Sequence, residues 1–141
     1  MLLGQFLHNV DKKGRIFIPA KLREELGEGF TVCKGIEREC CLFVYSSAEW
    51  AALDEKIKQL PNMKASKVKH FVYTGASTLD CDTQGRVLIP QNLREYAGID
   101  SEACILGMSD HLEIWNKELW SKVDEECTSD AIADIMEELD F

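Results

Sequence analysis

The apolar positions of this chain fall into short runs that switch repeatedly between a two-residue and a helical period, so small strands and helices are expected in alternation. Met1 to Val10 carries Leu2, Leu3, Phe6, Leu7 and Val10 and reads as a leading strand. A polar turn follows, Asp11 to Gly14, and then a β-branched and aromatic run, Arg15 to Ile18. In that run Ile16 and Ile18 share one face while Arg15 and Phe17 share the other. Pro19 suits the first turn of a helix, where a missing N–H costs nothing; Leu22 and Leu26 share its inner side and Gly27 stops it. Phe30 to Lys34 and Cys41 to Tyr45 read as strands separated by Gly35 and a charged turn, Glu37 to Glu39. Ser46 or Ser47 then caps a helix reaching Leu60, with Trp50, Leu53, Ile57 and Leu60 at helical spacing and Pro61 beyond.

The pattern then begins again. The link from Pro61 to Tyr73 predicts a connecting helix passing into a strand, and Ala76 to Cys81 is a second leading strand. Arg86 to Ile89, Ala103 to Leu106 and Leu112 to Trp115 match the strands of the first half, and Trp120 falls opposite Trp50. From Thr128 to Phe141, Ile132, Ile135, Met136 and Leu139 lie on one helical face with five acids between Asp130 and Asp140. That tail is either a terminal helix packed on a neighbour or an acidic partner-binding helix. Each unit thus reads strand, strand, helix, strand, strand, helix. The expected fold is α+β, a mixed β structure with short helices, divided into a first unit over 5–47, a helical connection over 48–75, a second unit over 76–119 and an acidic helical tail over 120–141.

The duplication rests on an ungapped match. Asp11–Gly27 reads DKKGRIFIPAKLREELG, Asp82–Gly98 reads DTQGRVLIPQNLREYAG 71 residues later, and both fit D-x-x-G-R-x-x-I-P-x-x-L-R-E-x-x-G. Asp11 and Asp82 are turn-forming: their carboxylates can accept backbone N–H groups just ahead, while Gly14 and Gly85 can adopt positive φ. The turn is therefore expected to be rigid and exposed, with Arg15 or Arg86 standing where it meets the strand. A guanidinium there is either a surface ion-pair partner, for example of Glu24 or Glu95, or a planar fork able to engage guanine O6 and N7 together. Lys12 and Lys13 add phosphate-seeking charge to the first turn, where the second has Thr83 and Gln84. Arg23 and Arg94, beside Glu24 and Glu95, are expected in interhelical or interchain ion pairs.

This motif resembles that of the AbrB-like (SpoVT-AbrB) swapped-hairpin family, and its duplication in a chain of this length resembles the MraZ family of bacterial transcriptional regulators. The resemblance runs from Met1 to about Trp120 in both copies. It implies two AbrB-like swapped-hairpin units forming one compact subunit of a ring, a homo-oligomer that binds double-stranded DNA sequence-specifically. Such a protein would act, associated with the nucleoid, on short repeated sites upstream of a division and cell-wall gene cluster that includes its own gene. The DNA-binding residues would be Arg15, Arg86, Lys12, Lys13, Gly14 and Gly85. Two rivals stand beside this reading: a ring-forming protein-interaction scaffold, and an AbrB-type antitoxin, against which the duplication speaks.

Charge changes the picture. The 141 residues carry a net charge of −9, awkward for a DNA binder, but residues 1–70 hold 12 Lys and Arg against 9 acids, while residues 71–141 hold 4 against 16. A local basic surface in the first half is compatible with that balance. Lys64, Lys67, Lys69 and His70 in the link are either phosphate contacts or a solvated helix face. There is no apolar run of about 18 residues, so no membrane span is expected, and MLLGQFLHNV lacks the basic start and cleavage site of a secretory signal. A cytoplasmic location is the default.

The six cysteines contain no C-x-x-C pair, and Cys33 and Cys104 are one repeat apart, which favours structural thiols at matching strand positions. His8, His70 and His111 are far apart, and capping explains Asp11 and Asp82. No G-x-x-x-x-G-K-S or G-x-G-x-x-G loop is present. The expectation is a non-enzyme without catalytic residues, metal, cofactor or small-molecule substrate.

Overall fold

The computed structural model describes residues 1–141, and its elements follow the doubled plan. The first half forms β1 (Leu2–Asn9), β2 (Arg15–Phe17), α1 (Ala20–Leu26), β3 (Phe30–Lys34), β4 (Leu42–Tyr45) and α2 (Ser47–Lys58). A linking helix α3 (Asn62–Thr74) leads to β5 (Ser77–Leu79), β6 (Arg86–Leu88), α4 (Gln91–Ala97), β7 (Glu102–Ser109), β8 (Leu112–Asn116) and α5 (Lys117–Glu125), with α6 (Ser129–Glu138) last. The α+β class expected from the hydrophobic pattern is the one observed.

The leading strands are exchanged between the units. A six-stranded sheet runs β1-β7-β8-β4-β3-β5, so β1 of the first unit pairs with β7 of the second, and β5 of the second pairs with β3 of the first. The hairpin swap therefore takes place inside one chain. The short strands β2 and β6 form a separate antiparallel ribbon with Arg15 opposite Leu88, Ile16 opposite Val87 and Phe17 opposite Arg86.

Both faces of the sheet are covered, which explains why its central strands read as continuous apolar runs rather than alternating ones. One face, through Val32, Leu42, Val44, Ile105, Leu112 and Ile114, meets Ile16, Ile18, Val87 and Ile89 of the ribbon, with Leu22 and Leu93 from the helices beside it. The ribbon isoleucines are about as buried as side chains become; each such burial stabilises by roughly 1.5–3 kcal/mol, which fixes which face of the ribbon points outward. The other face, through Cys33, Phe43, Tyr45, Cys104, Leu106 and Trp115, receives Trp50 and Leu53 from α2 and Leu119, Trp120 and Val123 from α5. Ser46 caps α2 by accepting the Glu49 N–H at 3.3 Å, as its position suggested.

Three expectations need correction. Phe71 to Tyr73 are not strand: α3 continues to Thr74, because Ala65 and Val72, seven residues apart, both bury on its inner side. The second leading strand shrinks to Ser77–Leu79: Ala76 N–H donates back to Tyr73 O at the end of α3 at 3.2 Å, and Asp80 leaves the ladder, its Oδ1 accepting Gly29 N–H at 2.6 Å. Pro19 and Pro90 stand just before their helices; each carbonyl accepts N–H bonds from the residues three and four positions on, so both act as N-caps.

Candidate nucleic-acid interface

The two D-x-x-G-R turns close in the same way. Asp11 Oδ1 accepts the backbone N–H of Lys13 at 3.0 Å and of Arg15 at 2.8 Å, and Asp11 Oδ2 accepts Arg15 Nε–H at 2.6 Å. In the second turn Asp82 Oδ1 accepts from Gln84 N at 2.9 Å and Arg86 N at 2.9 Å, and Oδ2 accepts Arg86 Nε–H at 2.9 Å. These bonds favour the charged carboxylate, so both aspartates titrate below the usual range, chiefly because of the backbone N–H of the arginine four residues on. Gly14 at φ +90° and Gly85 at φ +82° supply the left-handed step that lets the chain double back.

The turn aspartate, not Glu24 or Glu95, is therefore the ion-pair partner of each arginine. Only Nε is engaged, and neither guanidinium's terminal nitrogens have a protein partner. This aims the arginine without consuming it: the two Nη groups remain free to donate to a base edge or a phosphate. Arg15 and Arg86 keep 29% and 30% of their side-chain surface exposed, enough for those groups to be reached.

Antiparallel pairing brings the arginines together. Because Ile16 and Val87 point inward, Arg15, Phe17, Arg86 and Leu88 all stand on the outer face of the β2–β6 ribbon, the arginines at diagonal positions and one turn at either end. Phe17 and Leu88 are exposed there; His8 meets the Phe17 ring edge-on at 5.3 Å. Lys12 and Lys13 are exposed at the tip of the first turn, and Thr83 and Gln84 occupy the same places in the second.

The ungapped repeat also governs the comparison with known proteins. The family model described as "MraZ protein, putative antitoxin-like" matches twice, over residues 1–69 and 72–140. The chain belongs to the MraZ family. It is 50% identical over 99% of both chains to a protein of Caldicellulosiruptor bescii named "Transcriptional regulator MraZ". Proteins of that name from Alkaliphilus oremlandii and Clostridium acetobutylicum are 48% and 46% identical, again over 99% of each chain. A solved structure from Pyrococcus horikoshii, "The solution structure of PHS018", matches 81% of this chain and 88% of its own at 21% identity with a TM-score of 0.35.

In this MraZ-family chain Arg23 and Arg94 do something their sequence neighbours did not suggest. Neither forms an ion pair with a glutamate. Arg23 Nη1 donates to Ile18 O at 2.9 Å and Arg94 Nε to Ile89 O at 2.9 Å, each within its own unit. The guanidinium then lies against the turn of the other unit: a Cβ built on Gly14 would come within 2.4 Å of Arg94 Cζ, and one on Gly85 would meet Arg23 Nη1. The turns are also tied by backbone, Ile18 N–H to Gly85 O at 2.9 Å and Ile89 N–H to Gly14 O at 3.1 Å. Each glycine thus provides room for an arginine as well as positive φ. Sequence reading missed this bracing because its partners lie in different units.

A second feature passed over is ionic. His111 Nδ1 lies 2.6 Å from Asp110 Oδ1 and its Nε2 3.6 Å from Glu113 Oε2, while Glu113 Oε1 accepts Trp115 Nε1–H at 2.8 Å. Burial pushes the His111 pKa down, but Glu113 and Asp110 outweigh it and leave it raised. The available signal was Glu113 itself, a charge inside the apolar run Leu112 to Trp115. Burial also pushes the Cys33 thiol up to about 12 and raises that of Cys104, which suits packing better than reactivity. No helix is long and apolar enough to cross a membrane, and no group of three or more His, Cys, Asp or Glu side chains is arranged to hold a metal ion.

Proposed function

We propose that this chain is a transcriptional regulator that binds double-stranded DNA through the outer face of the β2–β6 ribbon and its two turns. One observation carries the reading: two arginines at diagonal positions on the outer face of one ribbon, each held at Nε by its own aspartate with both terminal nitrogens free. Strands lie about 4.8 Å apart, and the major groove, about 12 Å wide, admits a two-stranded ribbon. Arg15 and Arg86 are the base or close phosphate contacts and Lys12 and Lys13 the phosphate contacts; Gly14 and Gly85, expected from the sequence to touch DNA, are buried against the arginine of the opposite unit and shape the turns instead. The name of the relatives supports regulation, and carries over to this chain as part of the proposal.

One subunit offers few cations against a net charge of −9. Useful affinity therefore calls for several linked subunits, each raising the effective concentration of the next contact. The proposal accordingly includes a closed homo-oligomer, a ring, in the cytoplasm at the nucleoid. It reads short sites repeated at whole helical turns, roughly 10 bp each, upstream of a division and cell-wall gene cluster that contains its own gene. The units over 5–47 and 76–119, joined by 48–75, are its two reading heads, and 120–141 is its tail.

The test is a titration of the gene's own upstream DNA with the wild-type protein and with Arg15→Ala. Loss of the contact should weaken binding by roughly 1–3 kcal/mol. The logarithm of affinity should also fall with the logarithm of salt, by about 0.9 for each phosphate contact. Undiminished binding by Arg15→Ala, or a flat salt response, would overturn the assignment of this face.

A further inference from the structure

The terminal helix α6 has an apolar stripe and nothing beneath it. Ile132, Ile135 and Leu139 are 41%, 49% and 66% exposed, Met136 lies beside them, and none of α6 joins either core. Thr128 caps the helix by accepting the Ala131 N–H at 3.1 Å, so it is a formed element rather than a fraying end. It also carries Asp130, Asp134, Glu137 and Glu138 and no base. The groove that fits it must be apolar at its floor and cationic at its rim.

The chain itself contains one. A groove of about 390 Å³ runs between the β3–β4 turn and α3, floored by Gly35, Ile36 and Phe71 and edged by Arg38 and one acid, Glu37. Ile36 is 52% exposed and Phe71 37%. Lys34 Nζ stands 5.5 Å over the Phe71 ring, and Lys64 and Lys67 share the helical face of Phe71, three and four residues apart in turn. Helix α3 contains three lysines and no acid. Two other exposed apolar surfaces exist: Phe17 and Leu88 lie among the cations given to DNA above, and Leu3, Leu7 and Met108 on β1 and β7 are interspersed with Gln5 and Asn9, with the lysine at that edge, Lys117, already paired to Glu102. Charge therefore chooses the α3 groove over the β1–β7 strip.

We infer that α6 of one copy docks in the α3 and β3–β4 groove of a second copy, acidic tail against basic first unit. This rests on the multi-subunit reading above and gives it a contact. The surfaces that meet are different, so the contact is heterologous and propagates from copy to copy until a rotation closes it into a ring. It also accounts for the lopsided charge, 12 basic against 9 acidic residues in 1–70 and 4 against 16 in 71–141, as two halves of one repeated interface. The lysines of α3 then serve assembly rather than phosphate.

The experiment uses the full chain, with light scattering over a range of protein and salt concentrations and circular dichroism to confirm folding. Wild type should run as a multi-subunit species that loosens with salt. Ile135→Asp with Met136→Asp on the tail, or Lys64→Glu with Lys67→Glu on the groove, should each shift dissociation by at least tenfold in concentration. Every substituted side chain is exposed, so the fold should survive. Mixing the two variants should give a two-chain species, because each brings one intact half of a heterologous contact. A multi-subunit wild type indifferent to both pairs of substitutions would overturn the docking and leave the assembly standing. A wild type monomeric at all concentrations would overturn both, and with them the multi-subunit source of affinity, while the loss on Arg15→Ala would still test the reading face by itself.

Discussion

The two turns share a backbone and differ in charge. Asp11 and Asp82 make the same three hydrogen bonds, Gly14 and Gly85 the same left-handed step, and each turn is braced by an arginine from the opposite unit. At the tip, however, the first turn presents Lys12 and Lys13 where the second presents Thr83 and Gln84. Duplication has kept the part that aims an arginine and let the surrounding field diverge. The geometry of contact and the strength of contact are separable here, and the comparison can be attacked at either level.

The largest effect should come from the shared scaffold. Gly14→Ala and Gly85→Ala each force a Cβ into positive φ and displace the opposing guanidinium, so both should destabilise the fold by about 1–3 kcal/mol and by similar amounts in denaturant unfolding. A large inequality would mean that the turns are not equivalent. Next come the contacts. Arg15→Ala should weaken operator binding more than Arg86→Ala, because Lys12 and Lys13 share the first turn, and Thr83→Lys with Gln84→Lys should narrow that gap while steepening the salt dependence by about 1 per added lysine.

The bracing predicts a crossed pattern of smaller size. Arg94→Ala loosens the lysine-bearing first turn although Arg94 belongs to the second unit, so it should reduce DNA affinity more than Arg23→Ala does. If each arginine instead affected only its own unit's contacts, the bracing would have no role in binding.

Titration should give the smallest effects and divides the halves again. Asp11 and Asp82 both titrate below the ordinary value of 3.8, so each contributes stability that is present above that value and lost as pH falls through the lowered one. Asp11→Asn and Asp82→Asn should flatten the acid limb of a stability profile about equally. His111 has a raised pKa, so its contribution is fully present below 6.5 and lost as pH rises through the folded value. His111→Gln should remove that dependence. The corresponding position of the first unit, one residue off the main register, is Cys41, so no matching step is expected there.

Much of this was legible in the chain as written. The strand read over Arg15 to Ile18 and found over Arg15–Phe17, with isoleucine inward and arginine outward, the stop at Gly27 and a serine cap at Ser46 or Ser47, found at Ser46, follow from local pattern, and the matched thiols Cys33 and Cys104 follow from the 71-residue repeat. The link was harder, because Val68, Phe71 and Val72 satisfy a strand window as well as a helix, and only the burial of Val72 against the fold decides between them.

What the sequence determined alone is the repeated turn: which residues bend, which one is aimed, and which face of the short strand buries, since these depend on side chains within five residues of each other. The tertiary structure decided which unit each strand pairs with. Strands β1 and β5 lead their units at corresponding places in the repeat, and pattern does not distinguish a neighbour in its own unit from one in the other. Only the closed sheet, with β1 on β7, β5 on β3 and the two short strands paired over its core, sets Arg15 beside Arg86 and lays Arg23 and Arg94 across each other's turns. That selection follows from burying both apolar faces at once, a constraint no local window contains.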